Sequence, residues 1–548
     1  MSKIKIFALG GLNEIGKNMY VIEVDKDIFI FDAGLKYAEE KLFGIDYIIP
    51  DYSYLKENNQ RVRGIFITHG HDENIGALPH ILADNPLIPV YAPKFTIDII
   101  KNILEEEKIK APNLIEINIH SKIEFGNNSV FPIRLTHSMP DTVGYVLNTI
   151  DGAIFYTGNF VFDPAMSGNY KTDIGKLAYV GKQGVLCLLS ESLYAEKKGF
   201  TSPNHRLSSL VKDALRKKPE RLIFNIVSAN MYRVEELFRE ISLTDRKIVI
   251  MGKRLQNMIN DLIDMKYLKF DKNKIGSLNN IQDENVVILI SSEKEKPFTS
   301  LRRIINGYDK YIKLKESDTV VFLEPIEDGM ERLFANISDT IARIGSDMIS
   351  LSPKKYLQHH ASAEDLMLML DLINPKYYFP VIGDYRYQVA NANIAKKLGY
   401  NESNIILRTN GEIAEINNGE LQDTLNKISN EDVLIDGNSV GDIGELVLKD
   451  REMLSDNGIV IISTTLDKKT KNILAGPEVL TRGFVYVKDN SQLINEIQVL
   501  AKNVIEKNNN NNYIEYNKIR NLIRDEIGKY LYKETECKPM IITVMLEV

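Results

Sequence analysis

Short apolar blocks alternate with polar turns along the first third of the chain. Residues 3–9, 20–24 and 27–31 are rich in β-branched and aromatic side chains, which predicts three strands, and Asp32-Ala33-Gly34 punctuates the third. The apolar run 63–68 predicts another strand, one that delivers the chain directly into His69-Gly70-His71. Helical spacing follows over 75–83 and 93–107, and strands recur over 130–136, 144–148 and 153–157. Polar residues sit at the strand ends, where a rigid scaffold can hold functional side chains.

From about residue 200 to 345 the texture changes. Short apolar runs at 222–227, 247–251, 286–290 and 319–323 alternate with helical stretches, which predicts an α/β domain with a mainly parallel sheet. Strand and helix patterns return at 366–372 and 377–382, followed by 405–416. Residues 418–430 are polar and read as the start of a linker. The last segment carries a strand at 458–466, helices near 491–507 and 516–531, and a closing strand at 540–544. The asparagine run 508–512 reads as a flexible loop, and no internal repeat is visible.

Composition narrows the classes. A length of 548 residues suggests three or four domains at about 150 residues each. With 44% hydrophobic and 26% charged residues, the chain is neither collagen-like, mucin-like nor wholly disordered. No apolar run approaches the ~18 residues that cross a bilayer, and the opening stretch is too short for a signal peptide. Cys187 and Cys537 are the only cysteines, so a disulfide framework and a cysteine metal site are excluded and a reducing cytosol is expected. A net charge of −7 argues against coating nucleic acid through bulk charge, while leaving room for a channel with local positive potential. Trp is absent, so base stacking would fall to Tyr, Phe or His.

The sharpest local feature is His69-Gly70-His71. Two imidazoles two residues apart converge when the backbone turns sharply, and Gly70 permits such a turn. Neutral imidazole is a normal ligand for zinc or manganese, although His-x-His alone is also compatible with a polar loop. A third histidine follows another strand in Thr136-His137-Ser138, and Tyr156-Thr157-Gly158-Asn159-Phe160 makes a further strand-to-loop junction.

In this order these features resemble the metallo-β-lactamase fold, whose pattern is His-x-His-x-Asp-His, then His, then Asp, then a final His, holding two metals. The opening Leu9-Gly10-Gly11-Leu12-Asn13-Glu14-Ile15-Gly16-Lys17-Asn18-Met19, with Asp32-Ala33-Gly34-Leu35 and Ile49-Pro50-Asp51, resembles the ribonuclease J family. Ala475-Gly476-Pro477-Glu478, Thr481-Arg482-Gly483-Phe484-Val485-Tyr486 and Lys538-Pro539-Met540 are similar to that family's C-terminal domain. The resemblance covers essentially the whole chain. It implies an α/β architecture: a metallo-β-lactamase αββα sandwich (1–200 and 346–417) split by an inserted β-CASP α/β domain (201–345). A linker (418–445) and a small C-terminal α/β domain for assembly (446–548) would follow. It also implies 5′-to-3′ exonuclease and endonuclease action in RNA maturation and decay.

The departures from the family pattern fall on the chemistry. Glu73 stands where the catalytic Asp belongs, and Asn74 replaces a histidine ligand. The bridging Asp becomes Asn159, and the last histidine becomes Ile382. His69, His71 and His137 would keep one metal, zinc or manganese, in a set resembling mononuclear zinc sites. Glu73 and Asn159 would be weak ligands at best, so a full two-metal centre, which clamps oxygens between ions about 3.5–4 Å apart, is not expected. The extra methylene of Glu73 would also misplace a general base by about an ångström, worth ~100-fold in rate.

The family's phosphate-contacting His-x-Ser-Gly-His run corresponds to Tyr356-Leu357-Gln358-His359-His360, where His360 alone matches at a key position and is a candidate catalytic group. Tyr356, Gln358, His359 and His360, with Asn230 of Val227-Ser228-Ala229-Asn230, are the candidate RNA contacts. The stretch 291–297 replaces a glycine-rich family loop with one carrying two acids, and Glu191 retains the expected carboxylate. Plainer readings stand beside these. Asn159 also reads as a turn cap, His359 and His360 as solvent-facing, His80 as structural and Glu293 and Glu295 as a solvated loop. Arg216-Lys217-Lys218 reads as a solvated helix end, and Lys253-Arg254 as a candidate contact to RNA backbone.

Three functions fit. The first is a ribonuclease J-type subunit with weak or absent catalysis, acting with an active paralogue or as a homo-oligomer. The second is a metal-dependent ribonuclease with an altered mononuclear site. The third is a non-catalytic RNA-binding module attached to a decay complex or the ribosome. RNA is the expected partner in all three, and no membrane is.

Overall fold

The computed structural model describes residues 2–38, 42–217, 220–227, 229–291, 298–326, 328–437, 439–440, 445–484, 491–509 and 515–548. The readings made on Lys218, Ser228, 292–297, Val485, Tyr486 and 510–512 lie outside these residues. Two compact units form, Met1–Tyr37 with Asp46–Val433, and Ala38–Ile45 with Leu434–Val548.

In the first unit an eight-stranded sheet runs in the order Glu420–Leu421, Ala414–Asn417, Lys3–Gly10, Met19–Val24, Asp27–Phe31, Val62–Phe66, Val90–Pro93 and Leu114–Ile117. A six-stranded sheet runs Tyr377–Val381, Val185–Glu191, Gly152–Tyr156, Val143–Thr149, Asn128–Arg134 and Ile123–Phe125. Alternation puts Ile22, Phe29, Phe31 and Phe66 of the first sheet into one apolar cluster with Tyr145, Tyr156, Leu189 and Phe379 of the second. Helices Ile174–Gln183, Ala363–Ile373 and Tyr385–Lys397 bury Val180, Met369 and Ile394 against the other face of the six-stranded sheet. Helix Lys94–Glu106 packs on strands Val90–Pro93 and Leu114–Ile117. This is the expected αββα sandwich.

The insertion is an all-parallel five-stranded sheet, in the order Ile248–Met251, Val287–Ser291, Leu222–Ile226, Thr319–Pro325 and Asp347–Leu351. It leaves the sandwich after Val185–Glu191 and returns at Tyr377–Val381, and those two strands are parallel neighbours. Its entry and exit therefore lie side by side, so the insertion interrupts the sequence without opening the sheet.

Two local expectations change. The helix read over 75–83 is two pieces, Asp72–Ile75 and Leu78–Asp84, with Pro79 in the first turn of the second, where a missing N–H costs nothing. The polar stretch 418–430 is pinned to the sheet: Ile413 N–H donates to Asn426 O at 2.9 Å and Ile428 N–H to Gly411 O at 2.9 Å.

The second unit carries a three-stranded sheet in the order Ile473–Arg482, Ile459–Leu466, Met540–Glu547. Helices Ser491–Lys507 and Tyr516–Thr535 bury Ile497, Val504, Ile523 and Ile527 with Val460 and Ile462 of that sheet. Strand Ile473–Arg482 had no sequence signal, because Gly476-Pro477 reads as punctuation. It is an edge strand, which tolerates proline. Among the described residues, no helix is long and apolar enough to cross a membrane.

Candidate metal centre

Strand Val62–Phe66 is held in parallel by Asp27–Phe31 and Val90–Pro93 and is buried at its C-terminal end, which fixes where Thr68 and His69 emerge. A buried carboxylate then organises the turn. Asp32 accepts from Thr68 N–H at 2.8 Å, Thr68 Oγ1–H at 3.0 Å, Asn74 Nδ2–H at 2.8 Å and Tyr156 O–H at 2.8 Å. Burial pushes its pKa up to about 6, and those four donors oppose the rise. The sequence marks Asp32 as part of a turn and of a family-like motif, but not as a hub; that role depends on partners up to 124 residues away.

Two glycines allow close approach here. A Cβ at Gly34 would lie 1.6 Å from the carbonyl oxygen of Glu73. Gly70 does not supply the left-handed turn expected of it. It makes room for Ile99, whose Cδ1 would lie 2.6 Å from an added Cβ.

His69, His71 and His137 converge, each offering a ring nitrogen within 4.8 Å of the others. His69 Nε2 lies 3.1 Å from His71 Nδ1, and His137 Nε2 lies 3.5 Å from the same atom. A tetrahedral zinc at ~2.0–2.1 Å from each nitrogen sets its ligands about 3.3 Å apart.

The outer nitrogens fix the tautomers. His137 Nδ1 lies 2.7 Å from the carbonyl oxygen of His359, and His71 Nε2 lies 3.3 Å from that of Ala229. A carbonyl only accepts, so both nitrogens carry hydrogen. Thr68 Oγ1 spends its hydrogen on Asp32 and therefore accepts from His69 Nδ1–H at 2.9 Å. Each inward nitrogen is then a lone pair. Burial holds His69 and His137 well below the ordinary imidazole range and His71 at about 4, so protons do not fill the gap near neutrality. Three converging lone pairs fit one cation.

Asn74, Asn159 and Ile382 are engaged elsewhere. The Asn74 amide donates to Asp32. Asn159 Nδ2 donates to Glu191 Oε2 at 2.9 Å, with both residues buried. Ile382 is buried in the apolar cluster of the sandwich, at a φ of 55° that a β-branched residue rarely adopts. Glu73 is not part of the convergent group, which among the described residues comprises the three histidines alone. Its neighbour Asp72 is tied to Arg254 at 2.6 Å and to Tyr37 O–H at 2.6 Å; burial would raise its pKa, but Arg254, Tyr37 and His71 together outweigh that and hold it low. Arg254, read as a possible RNA contact, is thus engaged internally.

His360 sits beside the trio, its ring 5.6 Å from that of His137, and its Nδ1 lies 3.0 Å from Glu191 Oε2. The other Glu191 oxygen accepts from Phe160 N–H at 2.7 Å and Ala361 N–H at 3.2 Å. Tyr356 and Gln358 are half-buried. His359 and Asn230, expected at an RNA-contacting surface, are instead buried at 1% and 0% exposure. Asn230 Nδ2–H donates to His359 Nδ1 at 3.3 Å, and the His359 ring packs 4.5 Å from that of His205. His205 in turn meets Asp163 at 2.6 Å; burial would raise that carboxyl, but His205 and Arg206 hold it low. No spacing in the sequence pointed to this second buried imidazole pair. His80 bonds Tyr47 O–H at 3.0 Å, away from the trio.

Three family models match: the beta-lactamase superfamily domain over 29–174, the ribonuclease J beta-CASP domain over 219–340, and the ribonuclease J C-terminal domain over 446–548. The chain is 38% identical to Ribonuclease J2 of Bacillus subtilis, covering 100% of this chain and 99% of that protein. It is 35% identical to Ribonuclease J 2 of Staphylococcus aureus strain MRSA252, covering 100% and 98%. A crystal structure of a protein of unknown function from Enterococcus faecalis V583 matches with a TM-score of 0.53 at 16% identity, over 76% of this chain and 100% of that one, a likeness of fold.

Proposed function

We propose, from the premise that this chain belongs to the ribonuclease J family and shares its role in RNA processing, that it is a subunit with weak or absent catalysis of its own. In this reading it holds one zinc or manganese ion on His69, His71 and His137, works in the cytoplasm, and acts with a catalytically active paralogue or with further copies of itself. The observation that carries the reading is the contrast within one site. Three imidazole lone pairs converge, while Asn74 and Asn159 donate hydrogen away and Ile382 is packed in the core.

A cation on the trio supplies Lewis acidity toward a phosphate oxygen. The remaining work falls to the protein. Glu191 orients His360 toward the trio, where its imidazole is placed to hold or release a proton beside a bound phosphodiester. That dyad favours, as a second reading, slow hydrolysis at a mononuclear site. In this reading the described residues offer one convergent ligand group, the three histidines, and so no second ion to clamp the attacking and leaving oxygens together.

The test is digestion of 5′-monophosphorylated, end-labelled RNA by the purified chain in manganese and in magnesium, with the His69→Ala, His71→Ala double variant as the contamination control. No release, or equal release from both proteins, is the expected result. Mononucleotide release that disappears in the double variant overturns the non-catalytic reading in favour of the second.

A further inference from the structure

One of the three imidazoles, His71, is held directly by a loop of the inserted domain, and that loop reaches a second, His137, through its neighbour Ser138 and through His359. Residues Ala229, Asn230 and Tyr232 follow strand Leu222–Ile226 of the inserted sheet and open helix Met231–Ser242. The Ala229 carbonyl accepts from His71 Nε2–H at 3.3 Å. Tyr232 N–H donates to the Ser138 carbonyl at 2.9 Å, one residue beyond His137. Asn230 Nδ2–H donates to the His359 imidazole at 3.3 Å, and the His359 carbonyl receives His137 Nδ1–H at 2.7 Å. His69 is oriented through Thr68 and Asp32 of the sandwich.

We propose that the loop carrying Ala229, Asn230 and Tyr232 is the positioning element of the cation site, so that cation binding and seating of the inserted domain on the sandwich are linked. The inference rests on the reading that the trio binds a cation. Its physical basis is tautomer selection. With the loop lifted, His71 loses the Ala229 carbonyl and keeps only Ser138 Oγ, 3.3 Å away, which can donate as well as accept. The His359 segment that receives His137 Nδ1–H loses its Asn230 anchor, so both rings are freer to turn or to carry hydrogen inward, where it repels a cation. Linkage is reciprocal: whatever the seated loop adds to cation affinity, the cation returns as stability of the seated loop.

Asn230 separates this role from simple folding. Its Oδ1 caps the helix by accepting from Arg233 N–H at 3.1 Å, while its Nδ2 serves His359. Serine keeps the cap and removes the second contact.

The experiment uses the full chain and Zn2+ as the probe. The zinc dissociation constant is measured by competition with a chromophoric chelator for the unaltered chain and for Asn230→Ser. Amide hydrogen exchange is followed in both, with and without zinc. The expected result is an affinity loss of about 10-fold in Asn230→Ser, the low end for groups that orient metal ligands. Zinc should also slow exchange of the Tyr232 amide in the unaltered chain. Unchanged protection of helix Met231–Ser242 in the variant shows that the helix still folds. Equal affinities together with a Tyr232 amide indifferent to zinc overturn the inference and leave the cation reading intact. Failure of the unaltered chain to bind zinc overturns both.

Discussion

Asn159→Asp introduces a carboxylate where the amide now faces Glu191, and the geometry fixes how badly that is tolerated. Asn159 Nδ2 lies 2.9 Å from Glu191 Oε2, and the two residues are 4% and 0% exposed. Replacing the donor with a second anion costs about 4 kcal/mol of repulsion at 4 Å and an effective dielectric of ~20. A hydrogen bond to a charged group, worth about 1.5–3 kcal/mol, goes with it.

The pair escapes part of this by taking up a proton. The added repulsion makes one of the two carboxyls hold its proton well above the ordinary carboxylate range. A carboxyl shifted upward in this way favours the folded state below its unfolded value, and that contribution is lost as pH rises through the folded value. The deficit relative to the unaltered chain should therefore be small near pH 4 to 5 and grow to several kcal/mol by about pH 8. Urea unfolding across that range, in chelator, measures it. A parallel series in a His360→Gln background removes the neighbouring imidazole as an alternative proton acceptor. A variant as stable as the parent at pH 8, or a deficit that does not change with pH, would refute the reasoning.

Three further outcomes follow from the same site. Zinc at 100 times its dissociation constant should stabilise the chain by about 2.7 kcal/mol, with one equivalent bound by elemental analysis, and His137→Ala should abolish the shift. Two bound equivalents would contradict the single-cation geometry. Asn74→Ala removes one of four donors to Asp32 and should cost about 1–3 kcal/mol, more above pH 6 than below it, because the carboxyl with a pKa of about 6 needs the donor most when ionised. Ile382→Gly relieves a left-handed backbone, worth about 1–2 kcal/mol, but empties a core position worth about 2–5. Net destabilisation in chemical unfolding is expected, and a net gain would show that the packing term is minor.

The sequence made the trio visible because His69, His71 and His137 each follow a readable strand, and strand ends are where a sandwich gathers side chains. Four of the five strands of the insertion's parallel sheet were equally plain in their spaced apolar runs; the fifth, Asp347–Leu351, lies beyond the boundary read at 345. Asp32 stayed hidden because a buried hub is defined by partners from both sheets, none of them adjacent in the chain. His359 was misplaced for a related reason. Its local context, Gln358-His359-His360, is polar, while its burial comes from Asn230, His205 and Tyr232 of the insertion. Strand Ile473–Arg482 was missed because turn chemistry at Gly476-Pro477 outweighed β-propensity on either side.

The way Asn74, Asn159 and Ile382 are fastened bears on how the chain can change over time. Each has a structural employment of its own: one amide serves Asp32, another serves Glu191, and the isoleucine fills the sandwich interior. Reinstating a single metal ligand at any of them would forfeit that employment before a second ion had enough partners to stay. A second cation would therefore have to be installed by several substitutions together, since each one alone costs stability before it yields a working ligand.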